Sequence, residues 1–275
     1  MDDVIRHYGG ISSLLESIIE AIGDSGIELE DLTVDDLGPV DEFHIGGRAA
    51  TQRLVDRARI PTGSRVLDVG SGVGGTGRFL AETGHHKVTG VDISPEYVEV
   101  ANALSTLVGM EESAEFRLGD VCDLPFSSDS FDAAVLLHVG MNIEDKLTAF
   151  SEVARVLVGG GVFAVYDIMG PRDAELEFPV PWASSSHSSY LATSNGYVEV
   201  LREAGFEIED VDDRSEFAKE FFASLREKSG TPPRPGLQLL MGEEATVRYG
   251  NMVEAVEAGV IGPVEILASK PSRTS

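Results

Sequence analysis

VLDVGSGVGG, residues 66–75, passes from a short apolar strand, Arg65 to Val69, into a glycine-rich turn, and a helix with Phe79 and Leu80 as core candidates opens near Thr76. Strand, glycine turn and helix start together form a ligand cradle: the glycines let the backbone come close, and the free N–H groups of the first helical turn point at whatever sits there. Gly70, Gly72 and Gly75 also satisfy G-x-G-x-x-G, which fits a nicotinamide dinucleotide as well. Asp68 separates the two readings. An acid just before the first glycine repels a pyrophosphate and attracts a cation.

S-Adenosylmethionine has that chemistry, with a sulfonium, an ammonium and no phosphate. Two further acids follow at the ends of the next strands. KVTGVDIS (Lys87 to Ser94) is a buried strand ending in Asp92, 20 residues beyond Gly72, where a carboxylate can accept both ribose hydroxyl protons. A third strand, Ala114 to Leu118, leads into GDVCDLPF, where Asp120 suits the exocyclic amine of adenine and the N–H of Val121 lies beside it. The cofactor-binding set is therefore Asp68, Gly70, Ser71, Gly72, Asp92, Ile93, Asp120, Val121 and Leu137. Each acid alone is also an ordinary helix cap; three at three successive strand ends form a pattern.

The fourth strand, FDAAVLLHV (Phe131 to Val139), ends in GMNIEDK, and Gly159 to Gly161 turn the chain into a fifth, VFAVYDIM (Val162 to Met169). Ligands of open parallel sheets lie beyond the carboxyl ends of the strands, which puts His138, Asn142, Tyr166 and Asp167 at the reaction end. His138 and Asp167 are the candidates for taking a proton. His138 is equally suited to bonding a loop carbonyl, and Tyr166 to pointing into the core. FPVPWA (Phe178 to Ala183), with the only tryptophan, reads as a loop beside the pocket.

Outside this core, Ile11, Leu14, Leu15, Ile18, Ile19 and Ile22 fall at helical spacing, with Ser13 and Glu16 as a capping box. Glu28 to Val40 reads as acidic and irregular, and DEFHIGGRAAT (Asp41 to Thr51) leads into a second helix ending near Arg59. Gly84 marks a helix C-cap, and Ser94-Pro95 starts a helix that Gly109 ends. Residues 1–60 form a helical cap on this reading and residues 61–275 the ligand-binding domain. A sixth strand spans Phe206 to Val211 and a last one Val260 to Ser269. Between them the segment of about 212–259, with helical patterns at Phe217 to Lys228 and Glu243 to Ala258 around a TPPRPG turn, is placed to form a lid.

The chain has 275 residues, and its 47 acids against 21 bases give a net charge of −26. Such a surface repels nucleic acid and anionic membranes. Only five of the bases are lysine, and the acids are spread along the chain, as on proteins of a high-salt cytoplasm; a moderately acidic ordinary enzyme is the alternative. No apolar run approaches the roughly 18 residues of a membrane span and the N-terminus has no secretory pattern, so a cytoplasmic location is expected. The one cysteine, Cys122, forms no intramolecular disulfide and reads as a buried filler. No metal-ligand cluster or Ser-His-Asp set is evident.

Taken together, VLDVGSGVGG, VTGVDIS, GDVCDLPFSSDSFD and ARVLVGGGVFAVYD resemble the class I S-adenosylmethionine-dependent methyltransferases over residues 60–270, with Val158-Gly159 where Lys-Pro is usual. The resemblance implies an α/β, Rossmann-like sheet of seven strands in the order 3-2-1-4-5-7-6, with the last strand antiparallel. DEFHIGGRAAT, LLHVGMNIEDK, YDIM, FPVPWA and LLMG are similar to the sarcosine/dimethylglycine N-methyltransferases, which make glycine betaine. That narrower likeness implies a small amino-acid amine as methyl acceptor. O- or C-methyl transfer in secondary metabolism is the alternative, and a nicotinamide-dependent oxidoreductase a further one. For a carboxylate-bearing amine, Arg48 is the candidate to hold the carboxylate, Trp182 to face the ammonium, and Asn142 to line the site. Arg48 is also placed to bridge Asp41 and Glu42, and Trp182 to act as a hydrophobic plug. The partners expected are a small-molecule acceptor and a second copy in a homodimer, with neither nucleic acid nor membrane.

Overall fold

The computed structural model describes residues 13–42, 44–227 and 244–272. Seven strands form one sheet in the order β3-β2-β1-β4-β5-β7-β6. They are β1 Arg65–Val69, β2 Lys87–Asp92, β3 Ala114–Leu118, β4 Phe131–Leu137, β5 Leu157–Met169, β6 Glu207–Asp213 and β7 Gly262–Ser269. The first five run parallel, while β7 is antiparallel to both β5 and β6. β1 and β4 occupy the middle, and their continuous apolar runs fit burial on both faces.

Nine helices surround the sheet among the described residues: α1 Ser13–Asp24, α2 Val34–Asp41, α3 Gly47–Ala58, α4 Gly75–Gly84, α5 Pro95–Leu107, α6 Lys146–Val156, α7 Ser194–Glu203, α8 Ser215–Glu227 and α9 Ala245–Glu257. One face of the sheet buries Phe150, Val153, Tyr197 and Leu201 from α6 and α7. The other buries Leu54, Leu80 and Ala101 from α3, α4 and α5. The apolar stripe of α1, with Leu15, Ile18 and Ile22, packs with Leu37 of α2 against Val100 and Leu104 of α5. A fourth cluster joins Phe222 of α8 and Met252 and Val256 of α9 to Ile45 and Met141. It holds α8 and α9 over the carboxyl ends of the strands.

Several boundaries differ from the sequence reading. Val34–Asp41 is a helix where an irregular stretch was expected, because Thr33 and Asp36 form a capping box: the Thr33 hydroxyl accepts from the Asp36 N–H at 3.3 Å and the Asp36 carboxylate accepts from the Thr33 N–H at 3.0 Å. β5 begins at Leu157 and runs through the three glycines expected to turn; Gly160, at φ +82°, stays in the ladder by donating to the Lys270 carbonyl at 2.7 Å. β2 and β4 each end two residues early, releasing Ile93-Ser94 and His138-Val139 into the loops that border the ligand cavity. His85, at φ +50°, takes the left-handed position after α4 that was expected of Gly84. Ile11, Phe43, TPPRPG and LLMG lie outside the described residues.

Candidate active site

The glycine turn fixes the first wall of a cavity of about 1460 Å³ above the strand ends. Gly70 has φ +69°, and a Cβ there would come within 2.5 Å of the Val139 side chain, so the close approach of the loops after β1 and β4 depends on glycine. The Gly70 and Ser71 amides donate to the Val91 carbonyl at 2.8 and 3.0 Å. Asp92 is then gripped from two sides, accepting from the Gly72 N–H at 2.8 Å and the Ser94 N–H at 2.9 Å. Each oxygen keeps a free lone pair at the cavity rim, which suits a pair of ribose hydroxyls. Asp120 is likewise set by an Asx-type bond from the Cys122 N–H at 2.8 Å. Val121, Leu137 and Ile93 line the same end, and Ile93, 73% exposed, forms an apolar ledge of the kind an adenine ring covers.

Asp68 is buried and lines the cavity, and its Oδ2 has no hydrogen-bond partner. Burial foremost, with the charges of Asp92 and Glu42 nearby, pushes its carboxyl up to about 7. An unpaired buried carboxylate oxygen is costly unless a cation meets it. The residues present therefore fit S-adenosylmethionine: a ribose acceptor, an adenine-side acid and an acidic centre for a cationic group.

The opposite end is apolar and aromatic, built from Met141, Ile143, Pro181, Trp182, Phe221, Phe222, Tyr249 and Met252. His138, at φ +54°, donates its backbone N–H to the Tyr166 carbonyl at 2.8 Å, and its ring packs 5.2 Å from Tyr166 and 5.8 Å from His44. Its Nε2 is buried without a partner on the cavity wall. Burial, reinforced by His44, holds the imidazole well below its ordinary pKa, so it is neutral. Asn142 and Trp182 also line the cavity, and the Trp182 indole N–H donates to Ser189 Oγ at 3.1 Å.

Two expected residues stand elsewhere. Arg48 does not line the cavity: its Nε lies 2.9 Å from Glu42, its Nη2 donates to the Val34 carbonyl at 3.1 Å, and its guanidinium covers the Phe79 ring at 4.7 Å. It joins α2 to α3 and α4, and no free donor fork faces a substrate. Asp167 is fully buried behind the wall, accepting from the Tyr197 hydroxyl at 2.6 Å and the Ile168 N–H at 2.9 Å. A Cβ on Gly140 would meet its Oδ2 at 2.3 Å, so Asp167 sits beneath the Gly140–Asn142 turn rather than against a ligand. Burial pushes its carboxyl up to about 7 despite these donors and Lys146.

His44 was not anticipated. Its Nε2 lies 3.1 Å from the Gly47 carbonyl and 2.9 Å from Thr51 Oγ1, and the Thr51 hydroxyl donates to Glu42 at 2.7 Å. Nε2 therefore carries the hydrogen, and burial lowers the ring to about 4. The signal available in the sequence was a histidine just before the Gly46-Gly47 helix start. Tyr166 turns its hydroxyl to the Ile45 carbonyl at 3.0 Å, supporting the same segment from below. Among the described residues no lysine or arginine lines the cavity, whereas Asp41, Glu42, Asp68, Asp92, Asp120, Glu144 and Asp145 do.

Residues 67–165 match the family model described as a methyltransferase domain. The chain is 28% identical over 246 residues to Methyltransferase GfsG of Streptomyces halstedii, covering 86% of this chain and 84% of that one. It is 29% identical over 229 residues to the 27-O-demethylrifamycin SV methyltransferase of Amycolatopsis mediterranei, covering 81% and 84%. A provisional sarcosine dimethylglycine methyltransferase from Galdieria sulphuraria superposes with a TM-score of 0.63 over 90% of this chain and 94% of that one. At 20% identity that likeness speaks for the fold alone.

Proposed function

Because the chain is a class I S-adenosylmethionine-dependent methyltransferase acting on a small molecule, we propose that its acceptor atom is a hydroxyl oxygen on an uncharged, largely apolar substrate. The observation that carries this reading is the acceptor end itself: an aromatic wall, an unpartnered neutral His138 nitrogen, and no cation among the described lining residues. A carboxylate-bearing amine such as sarcosine or dimethylglycine would enter an acidic cavity with no counter-charge to receive it. Amine transfer has the fold likeness, Trp182 and the likeness to N-methyltransferases such as the ajmaline N-methyltransferase of Rauvolfia serpentina in its favour.

When bound, the cofactor supplies an electrophilic methyl carbon. The protein's part is to hold the acceptor oxygen against it, exclude water and take a proton. Asp92, Asp120 and Asp68 hold the cofactor end on this reading. His138 Nε2 accepts the hydroxyl proton, and its low basicity is sufficient because a hydroxyl becomes strongly acidic as its oxygen is alkylated. α8 and α9, within the segment 212–259, serve as a lid over an active site capped by α1, α2 and α3. The test is His138→Ala. Methyl transfer to a hydroxyl acceptor should fall by about 10² to 10⁴ with S-adenosylhomocysteine affinity unchanged. A variant that keeps its rate removes His138 from the reaction.

A further inference from the structure

We propose that Asp41, the last residue of α2, joins Asp68 in receiving the α-ammonium of the cofactor's methionine part, which makes the N-terminal helices one side of the cofactor site. The inference depends on the cofactor and not on the acceptor chemistry. Asp41 has a fully buried side chain; its Oδ2 accepts from Arg78 Nη2 at 2.9 Å, while its Oδ1 is buried without a partner. Asp68 Oδ2 is the second such oxygen on the same cavity. Both acids rest against the first turn of α4. A Cβ on Gly75 would lie 2.3 Å from the Asp41 carbonyl oxygen and 2.7 Å from its Cγ, and a Cβ on Gly77 would lie 3.3 Å from Asp68 Oδ2.

The local cations do not serve these oxygens. Arg78 is fully buried and divides its donors among Asp41 Oδ2 and the Val73 and Ala101 carbonyls. Arg48 is held by Glu42. The buried acids Asp41, Glu42 and Asp68 thus outnumber the two arginines beside them, and burial is the largest influence raising the carboxyls of both Asp41 and Asp68, so a cation bound there would restore their ionised form. An orphaned carboxylate oxygen needs a hydrogen-bond donor as well as a charge. A sulfonium has no N–H; an ammonium has three. A metal ion is the other cation of interest, and among the described residues no three acid, histidine or cysteine side chains converge to hold one.

The experiment is calorimetric titration of wild type and Asp41→Asn with three ligands: S-adenosylhomocysteine, its deamino analogue, and 5′-methylthioadenosine, which lacks the amino-acid part. Asp41→Asn should weaken S-adenosylhomocysteine by about tenfold or more while leaving the deamino analogue and methylthioadenosine unchanged. Equal weakening of all three, or of none, overturns the assignment. Failure of any adenosyl ligand to bind wild type would instead count against the cofactor site as a whole. Because the substitution weakens the buried pair with Arg78, hydrogen exchange on wild type gives a second reading that needs no variant. S-Adenosylhomocysteine should protect the amides of 34–42 more than the deamino analogue does; equal protection refutes the role of Asp41.

Discussion

Asp92 is set by two backbone donors before any ligand arrives, so its contribution to binding is preorganised. Asp92→Ala should weaken S-adenosylhomocysteine by at least about tenfold while leaving a folded protein, since a charge-assisted hydrogen-bond pair is lost. Unchanged affinity by calorimetry would contradict the ribose assignment. Asp167 gives a pH signature. In the unfolded chain it titrates near its ordinary 3.8, in the fold at about 7. Between those values the folded state keeps a proton that the unfolded chain has lost, so this group lowers stability progressively as pH rises through the window. Asp167→Asn removes that contribution, and the stability difference between variant and wild type should shift in the variant's favour from about pH 4 to about pH 7 in urea unfolding. A constant difference would mean that Asp167 is ionised throughout. The place of Asp68, Asp92 and Asp120 on the cavity was legible because each lies within two residues of the carboxyl end of a parallel strand, where the ligand crevice of such a sheet opens. Arg48 and Asp167 were misread because chain position fixes where a Cα lies and not which way a side chain turns. Glu42 drew one inward, and Tyr197 with the Ile168 amide held the other behind the wall.

β3 was readable to the residue, and the sheet order followed from the family likeness. The elements that escaped have identifiable reasons. The acidic composition of Glu28 to Val40 hid the Thr33-Asp36 capping signature of α2, and Gly159 to Gly161 looked like a turn although Gly160 and Gly161 exchange backbone hydrogen bonds with Lys270, just after β7. The approach of α9 to the 178–184 loop rests on tertiary bonds that no periodicity signals. Arg248 Nη1 donates to the Val180 carbonyl at 2.9 Å, and Asn251 Nδ2 donates to the Pro179 carbonyl at 2.9 Å. Trp182 and Tyr249, from the loop and from α9, both line the cavity. Arg248→Ala should therefore raise the KM for acceptor by about tenfold, a loss in keeping with one charged hydrogen bond, and leave the S-adenosylhomocysteine Kd unaltered. Equal changes in both would mean that α9 also bears on the cofactor.

At the scale of the whole molecule, the net charge of −26 is distributed over a fold whose acids also crowd the cavity. Part of it is neutralised where Arg53, Arg57 and Arg214 surround the buried Glu265 of β7 and tie α3 to the last two strands. The remainder is self-repulsion, which salt screens as the Debye length falls to about 3 Å at 1 M. The melting temperature should rise with potassium chloride from low to molar concentration; a flat or falling curve would show that the repulsion is locally compensated. The same acidic interior, with no lysine or arginine among its described walls, is the basis of the proposed choice of acceptor. The decisive measurement is competition for the methyl group: labelled S-adenosylmethionine with an equimolar mixture of apolar phenols and alcohols, sarcosine and dimethylglycine, and NMR of the products to locate the transferred methyl. Label on oxygen of an uncharged acceptor is the predicted result. Label on the nitrogen of sarcosine or dimethylglycine, with the hydroxyl compounds untouched, would contradict it.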